Sequence, residues 1–206
     1  MIYGIAVKRE TTLLNLVGLP FLVTIGTMTG AFINANMPNL LRDPDFFNLP
    51  FENVGMASGT VLFWGYLVSM LATPFLGYLF DMMGRLWFLL PACFVLAFTV
   101  ALIPYSAPSF GLLCFFRTLH ACVVQIVMTN PLVIDYVKTE SRGLMMSIVS
   151  LGLFFGELLM VSIFAWTRDM PIMLQYWTPA LVTLLIAVIL VFLLREPKIK
   201  QDNQNR

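Results

Sequence analysis

Apolar residues run along the chain in six long blocks, separated by short clusters of charged and turn-forming residues. A bilayer core about 30 Å thick needs about 20 apolar residues per helix. Windows drawn between the clusters predict spans at roughly 12–36, 55–80, 86–105, 109–134, 144–166 and 172–194. A membrane barrel would show segments of about 10 residues alternating with period two, and no segment does. The connections are 37–54, 81–85, 105–108, 135–143 and 167–171. After the first they are short, which predicts antiparallel neighbours. The expected fold is all-α, a polytopic membrane bundle of six transmembrane helices over 12–195. A segment at 1–11 precedes it and a polar tail at 196–206 follows.

Composition agrees. Of 206 residues, 59% are apolar and 11% charged, and the mean hydropathy is +0.87. Soluble domains carry about 25% charged residues, so this chain cannot coat a water-exposed surface. The apolar content equally excludes a disordered chain. A net charge of +1 gives no global basic field for nucleic acid.

Placing the charges predicts an orientation, because basic residues collect in cytoplasmic loops. With a cytoplasmic N-terminus, that side holds Lys8, Arg9, Arg85, Lys138, Arg142, Arg195, Lys198, Lys200 and Arg206. The outer side holds Arg42 and Arg168, and Arg117 lies inside a span, which accounts for all 12 basic residues. Both termini are therefore expected in the cytoplasm. The apolar run at 13–32 is too long for the core of a cleavable signal, so it is expected to stay as the first helix.

Little points to chemistry on bonds. Cys93, Cys114 and Cys122 all sit in apolar stretches without a CxxC or Cys/His cluster, and read as buried thiols. With His120 the single histidine, no metal or other cofactor is expected. An intramembrane serine protease of the rhomboid kind needs Gly-x-Ser-Gly and a histidine on a later helix. The nearest stretch, Gly55-Met-Ala-Ser58-Gly59, has one residue too many and lies on the wrong span. No Gly-Lys-Ser/Thr phosphate loop occurs, so the chain is expected to be neither an enzyme nor an ATP-driven pump.

At the second cytoplasmic connection the sequence reads Gly77-Tyr-Leu-Phe-Asp81-Met-Met-Gly84-Arg85. This resembles the Gly-x-Leu-x-Asp-x-x-Gly-Arg signature between helices 2 and 3 of the major facilitator superfamily. Arg117, within Phe116-Arg117-Thr-Leu-His120-Ala121, resembles the family's buried arginine of helix 4. Asp135, followed seven residues later by Arg142-Gly143, resembles the acidic-to-Arg-Gly spacing between helices 4 and 5. The resemblance covers about residues 12–195. It implies one six-helix half of the family's twelve, with the 3+3 inverted repeat of such halves. Two departures stand beside it. Leu86 follows Arg85 where a second basic residue is frequent. In Gly152-Leu-Phe-Phe-Gly156-Glu157, Glu157 stands where the family's proton-coupled drug antiporters carry a proline.

Physical reading of these residues gives two candidate sites. Gly77 and Gly84 can allow close packing or a positive φ at a tight turn. Asp81 and Arg85 lie four apart, within reach of each other or of Asp135 and Arg142. Such a pair at an aqueous boundary is worth about 0–1 kcal/mol, enough to bias two nearly equal states and so to act as an inner gate. The other reading is an ordinary solvated turn. Inside the spans, a buried arginine costs about 2.5–3.5 kcal/mol even on lenient scales, so Arg117 must face a cavity or a partner. Arg117 and Glu157 both lie roughly 13 Å from the outer ends of their helices, at about 1.5 Å per residue. They are expected to reach each other or to share one polar cavity, either as a structural ion pair or as groups that attract an anionic substrate or exchange protons. His120 follows on the same side of the helix, with Gln125 further round. It is either a packing residue or a proton-coupling group, its imidazole changing charge near neutral pH. On the first span Thr24, Thr27, Gly30 and Asn34 form a polar stripe. The resemblance makes the first and fourth helices equivalent and cavity-lining, so this stripe agrees with a central pathway.

The function implied is secondary transport of a small solute, with or without a coupled proton, by alternating access across a lipid bilayer. A structural or regulatory membrane subunit is the alternative. Because a six-helix half cannot rock against itself, a second half is expected, from a copy of this chain, another chain or a missing C-terminal part. The tail after Arg195 resembles the start of the linker between halves.

Overall fold

The computed structural model describes residues 4–8, 11–128 and 132–195. Arg9, the tail at 196–206 and positions 129–131 of the predicted fourth span lie outside the described residues. Among the described residues there are seven α-helices: α1 (Leu13–Arg42), α2 (Phe51–Met83), α3 (Arg85–Leu102), α4 (Phe110–Met128), α5 (Leu132–Tyr136), α6 (Arg142–Thr167) and α7 (Ile172–Leu193). Among the described residues six stretches are long and apolar enough to cross a membrane, α4 and α5 sharing the fourth. The all-helical six-span bundle stands as the sequence predicts.

The first connection is shorter than expected. The polar residues Asn36, Pro38 and Asn39 read as loop, yet α1 continues to Arg42 and α2 begins at Phe51. Asn36 is fully buried and donates to Gln175 Oε1 at 2.9 Å. A polar residue satisfied by a neighbouring helix does not end its own helix. At the other end of α2 the turn is one residue long: Gly84, at φ +87°, passes directly into α3. Residues with a Cβ rarely take that conformation, and glycine takes it freely.

Chain neighbours are not the main packing partners. The most extensive contacts join the first span to the fifth (α1 with α6), the second to the fourth (α2 with α4), and the third to the sixth (α3 with α7). Exchanging first with fourth, second with fifth and third with sixth maps the first pair onto the second and the last onto itself. Three crossings leave the chain on the far side of the bundle, so the second triplet runs inverted. The contacts thus reproduce the 3+3 inverted repeat.

α1 is the most buried span and forms the centre; α2 and α6, equivalent under the exchange, are the least buried. Two apolar clusters fill the interior. One, around Leu19, Leu89, Val127, Tyr136 and Leu190, lies toward the N-terminal end, and the other, around Phe32, Leu40, Val100, Leu113 and Tyr176, toward the far end. On α4 the residues between them are Arg117 and His120. Large apolar side chains such as Phe75, Trp87 and Phe192, each about 70% exposed, point outward, as a bilayer solvent requires.

The two ends of the described chain meet. Val7 bridges Val137, Lys8 N–H donates to the Tyr136 carbonyl at 2.9 Å, and Tyr136 Oη donates to the Arg195 carbonyl at 2.9 Å. An even number of crossings puts both ends on one face of the bundle, and these contacts bring them together there.

Candidate functional site

Two polar constellations interrupt the apolar bundle. The first is centred on Arg117 of α4, only 2% exposed. Its Nη2 donates to Asn34 Oδ1 of α1 at 2.8 Å. Its Nη1 lies 3.5 Å from His120 Nδ1, and its guanidinium carbon stands 5.6 Å over the ring of Tyr66 of α2. Asn34 in turn donates from Nδ2 to Tyr66 Oη at 3.1 Å. Gly65 of α2 faces this packing, and a Cβ there would make ordinary contact with Ala121 and Arg117 at 3.7 Å. One asparagine therefore joins the arginine of the fourth span to the tyrosine of the second. Arg117 and His120 are buried, whereas Asn34 is half-buried and Tyr66 is 55% exposed. The open side of the cluster is thus the Asn34–Tyr66 pair.

The expected pairing of Arg117 with Glu157 is not formed. Among the described residues the ion pairs within 4 Å all involve Arg85. The cause is the helix arrangement: α6 packs on α1 while α4 packs on α2, so consecutive spans at one depth face different neighbours. Glu157 is exposed on α6. Beside it, Gly152 and Gly156 are pressed against α1. A Cβ on Gly152 would collide with the Pro20 carbonyl, and one on Gly156 would stand 2.8 Å from the Thr24 carbonyl. Thr24 Oγ1 donates to the Gly152 carbonyl at 3.2 Å. The polar stripe on α1 consequently divides. Thr24 and Thr27 face α6, the Thr27 hydroxyl having no partner among the described residues, while Asn34 alone serves Arg117. Gln125 is exposed on α4.

The second constellation lies at the N-terminal end. Arg85 Nη1 bonds Asp135 Oδ1 at 2.9 Å, and Nη2 reaches Asp81 Oδ1 at 3.6 Å. The Asp135 side chain is 17% exposed and the Asp81 side chain 74%. The shorter, more buried contact carries more of the interaction, because water screens the other. Arg85 thereby ties the start of α3 to the end of the fourth span. Arg142 opens α6 nearby and forms no ion pair among the described residues. Gly84 supplies the turn, but Gly77 sits within α2 with nothing within 4 Å of a Cβ, so it provides no close packing here.

Tyr66, Tyr176 and the Asn36–Gln175 pair were not singled out from the sequence. Tyr176 is fully buried, with a hydroxyl lacking a partner among the described residues. A polar atom inside an apolar block was the available signal for each.

An exchange-symmetric six-span bundle, with a buried guanidinium on α4 and an arginine ion-paired between the third and fourth spans at one end, has the form of an inverted-repeat membrane transporter fold. The chain belongs to the Major Facilitator Superfamily, whose sequence profile matches residues 11–206. Comparison with curated proteins finds none that matches.

Proposed function

We propose that the chain is one half of a secondary transporter that carries a small anionic solute by alternating access. One observation carries this reading: Arg117 is buried without a carboxylate within ion-pair distance among the described residues. Its hydrogen-bond partners, Asn34 and His120, carry no formal negative charge. Dipoles and a tyrosine ring stabilise a guanidinium only in part, so its charge remains available to an anion entering past Asn34 and Tyr66. We assign His120 to orienting Arg117, since a second positive charge 3.5 Å away costs Coulomb energy. Glu157, acidic and well inside a span, is the group we assign to any coupled proton.

A second six-helix half completes the carrier in this reading. The broad apolar faces of α2 and α6, equivalent and least buried, support it, because such a partner would cover them. With the N-terminal end in the cytoplasm, as the distribution of basic residues favours, the Arg85–Asp135 contact closes the inner side. The test is flux in proteoliposomes, with the native mass measured in a mild detergent. Uptake of small organic anions in preference to cations, by an assembly holding twelve spans, is the expected result. Flux restricted to cations, or none from a twelve-span assembly, overturns the reading.

A further inference from the structure

Among the described residues two basic side chains lie at the end of the bundle away from the N-terminus, Arg42 and Arg168. They follow from different helices, Arg42 closing α1 and Arg168 standing just past α6. Both nevertheless line one cavity of about 600 Å³, together with Asn39, Asp43 and Gln175. Neither arginine has an ion-pair partner among the described residues.

The floor of this cavity is built. Gln175, 7% exposed, accepts from Asn36 Nδ2 at 2.9 Å and donates to the Met170 carbonyl at 2.8 Å and the Arg168 carbonyl at 3.3 Å. Asn39 Nδ2 donates to Asn36 Oδ1 at 2.9 Å. These amides lock α1, α7 and the connection between α6 and α7 together, so the arginines project from a fixed frame. Arg42 is held further by the Phe51 ring, 5.2 Å from its guanidinium carbon. Asp43 also lines the cavity, but its Oδ1 accepts from Asp45 N–H at 2.9 Å within its own turn.

A cation at a helix C-terminus complements the macrodipole, which accounts for each arginine alone. It does not account for two exposed arginines, neither ion-paired among the described residues, lining one open cavity above a locked amide floor. We propose that this cavity is an anion-binding site that takes a carboxylate or phosphate group between Arg42 and Arg168. Guanidinium forks match the geometry of both groups, and the volume falls in the range of small-molecule sites, about 300–1,000 Å³. The anion is either a dissolved small molecule or a lipid headgroup at the membrane surface. The site is separate from Arg117, and its existence does not depend on the transport proposed above.

The test uses the purified full chain in nanodiscs. In one arm, phosphatidylcholine discs are titrated with inorganic phosphate and with citrate by calorimetry. In the other, phosphatidylglycerol is added to the discs and the thermal midpoint is followed, since a ligand that binds the folded state raises it. Saturable binding in the first arm identifies a dissolved anion; a raised midpoint in the second identifies a headgroup. The combined Arg42→Gln and Arg168→Gln variant is expected to weaken whichever response occurs by at least about tenfold. Asp43→Asn, which removes a negative charge from the wall, should strengthen it, and Lys138→Gln, an exposed residue at the opposite end of the bundle, should leave it unchanged. No response in either arm overturns the proposal. So does a response lost with Lys138→Gln, or one that Asp43→Asn weakens; this last comparison stands even where the double variant does not fold.

Discussion

Arg117 Nη2 and Asn34 Oδ1 meet at 2.8 Å, joining two helices that the inverted repeat makes equivalent. The bond joins the central helix of the first triplet's core contacts to the buried charge of the second. It also leaves Asn34 Nδ2 for Tyr66, so one amide organises three spans.

Removing that amide should therefore cost more than one hydrogen bond. Asn34→Ala leaves a buried guanidinium short of an acceptor, and we expect a loss of about 1–3 kcal/mol, read as a lowered thermal midpoint in detergent. Adding Arg117→Leu to Asn34→Ala should recover much of the loss, because the stranded charge goes with it. A double variant less stable than the sum of the two singles contradicts this account.

The two acidic partners of Arg85 should differ in weight. Asp135→Asn is expected to open the N-terminal end, seen as increased labelling of a cysteine introduced beneath it, whereas Asp81→Asn should have a smaller effect. The basis is 2.9 Å against 3.6 Å and a 17% against a 74% exposed side chain. Exchanging the charges, as Arg85→Asp with Asp135→Arg, should restore part of the closed population.

The glycines sort in the same way. Gly152→Ala should destabilise by about 1–3 kcal/mol, since the new Cβ meets the Pro20 backbone of α1, which cannot turn aside. Gly84→Ala should cost about 1–2 kcal/mol for its left-handed backbone. Gly77→Ala should be neutral or stabilising, because Ala suits an open helical site by about 0.5–1 kcal/mol. Thermal midpoints of the three variants check the order.

Much of this fold is legible in the sequence, because a bilayer lets a single rule, long apolar runs between charges, locate every span. The Gly84-Arg85 turn was legible too, from a motif of closely spaced residues, and so was the proximity of Arg85 to Asp135, 50 positions apart, from their shared end of the bundle. The pairing of Arg117 with Glu157 was not. Depth along a helix can be counted, but helix azimuth and choice of neighbour are set by the packing of small residues, here Gly152 and Gly156 against α1. The same holds for Asn36, whose polarity resembles a loop until Gln175, 139 positions away, supplies its partner. Arg42 and Arg168 likewise come together only when α1 and α6 are packed.

The central claim is that the uncompensated charge of Arg117 draws an anionic solute into the bundle. Its most direct measurement is uptake of a set of labelled small organic anions into proteoliposomes by the wild type and by Arg117→Gln at equal amounts of folded protein. The account predicts that an anion carried by the wild type loses at least about tenfold in uptake with Arg117→Gln, the loss of one charge-assisted contact. Undiminished uptake of that anion by Arg117→Gln would contradict it.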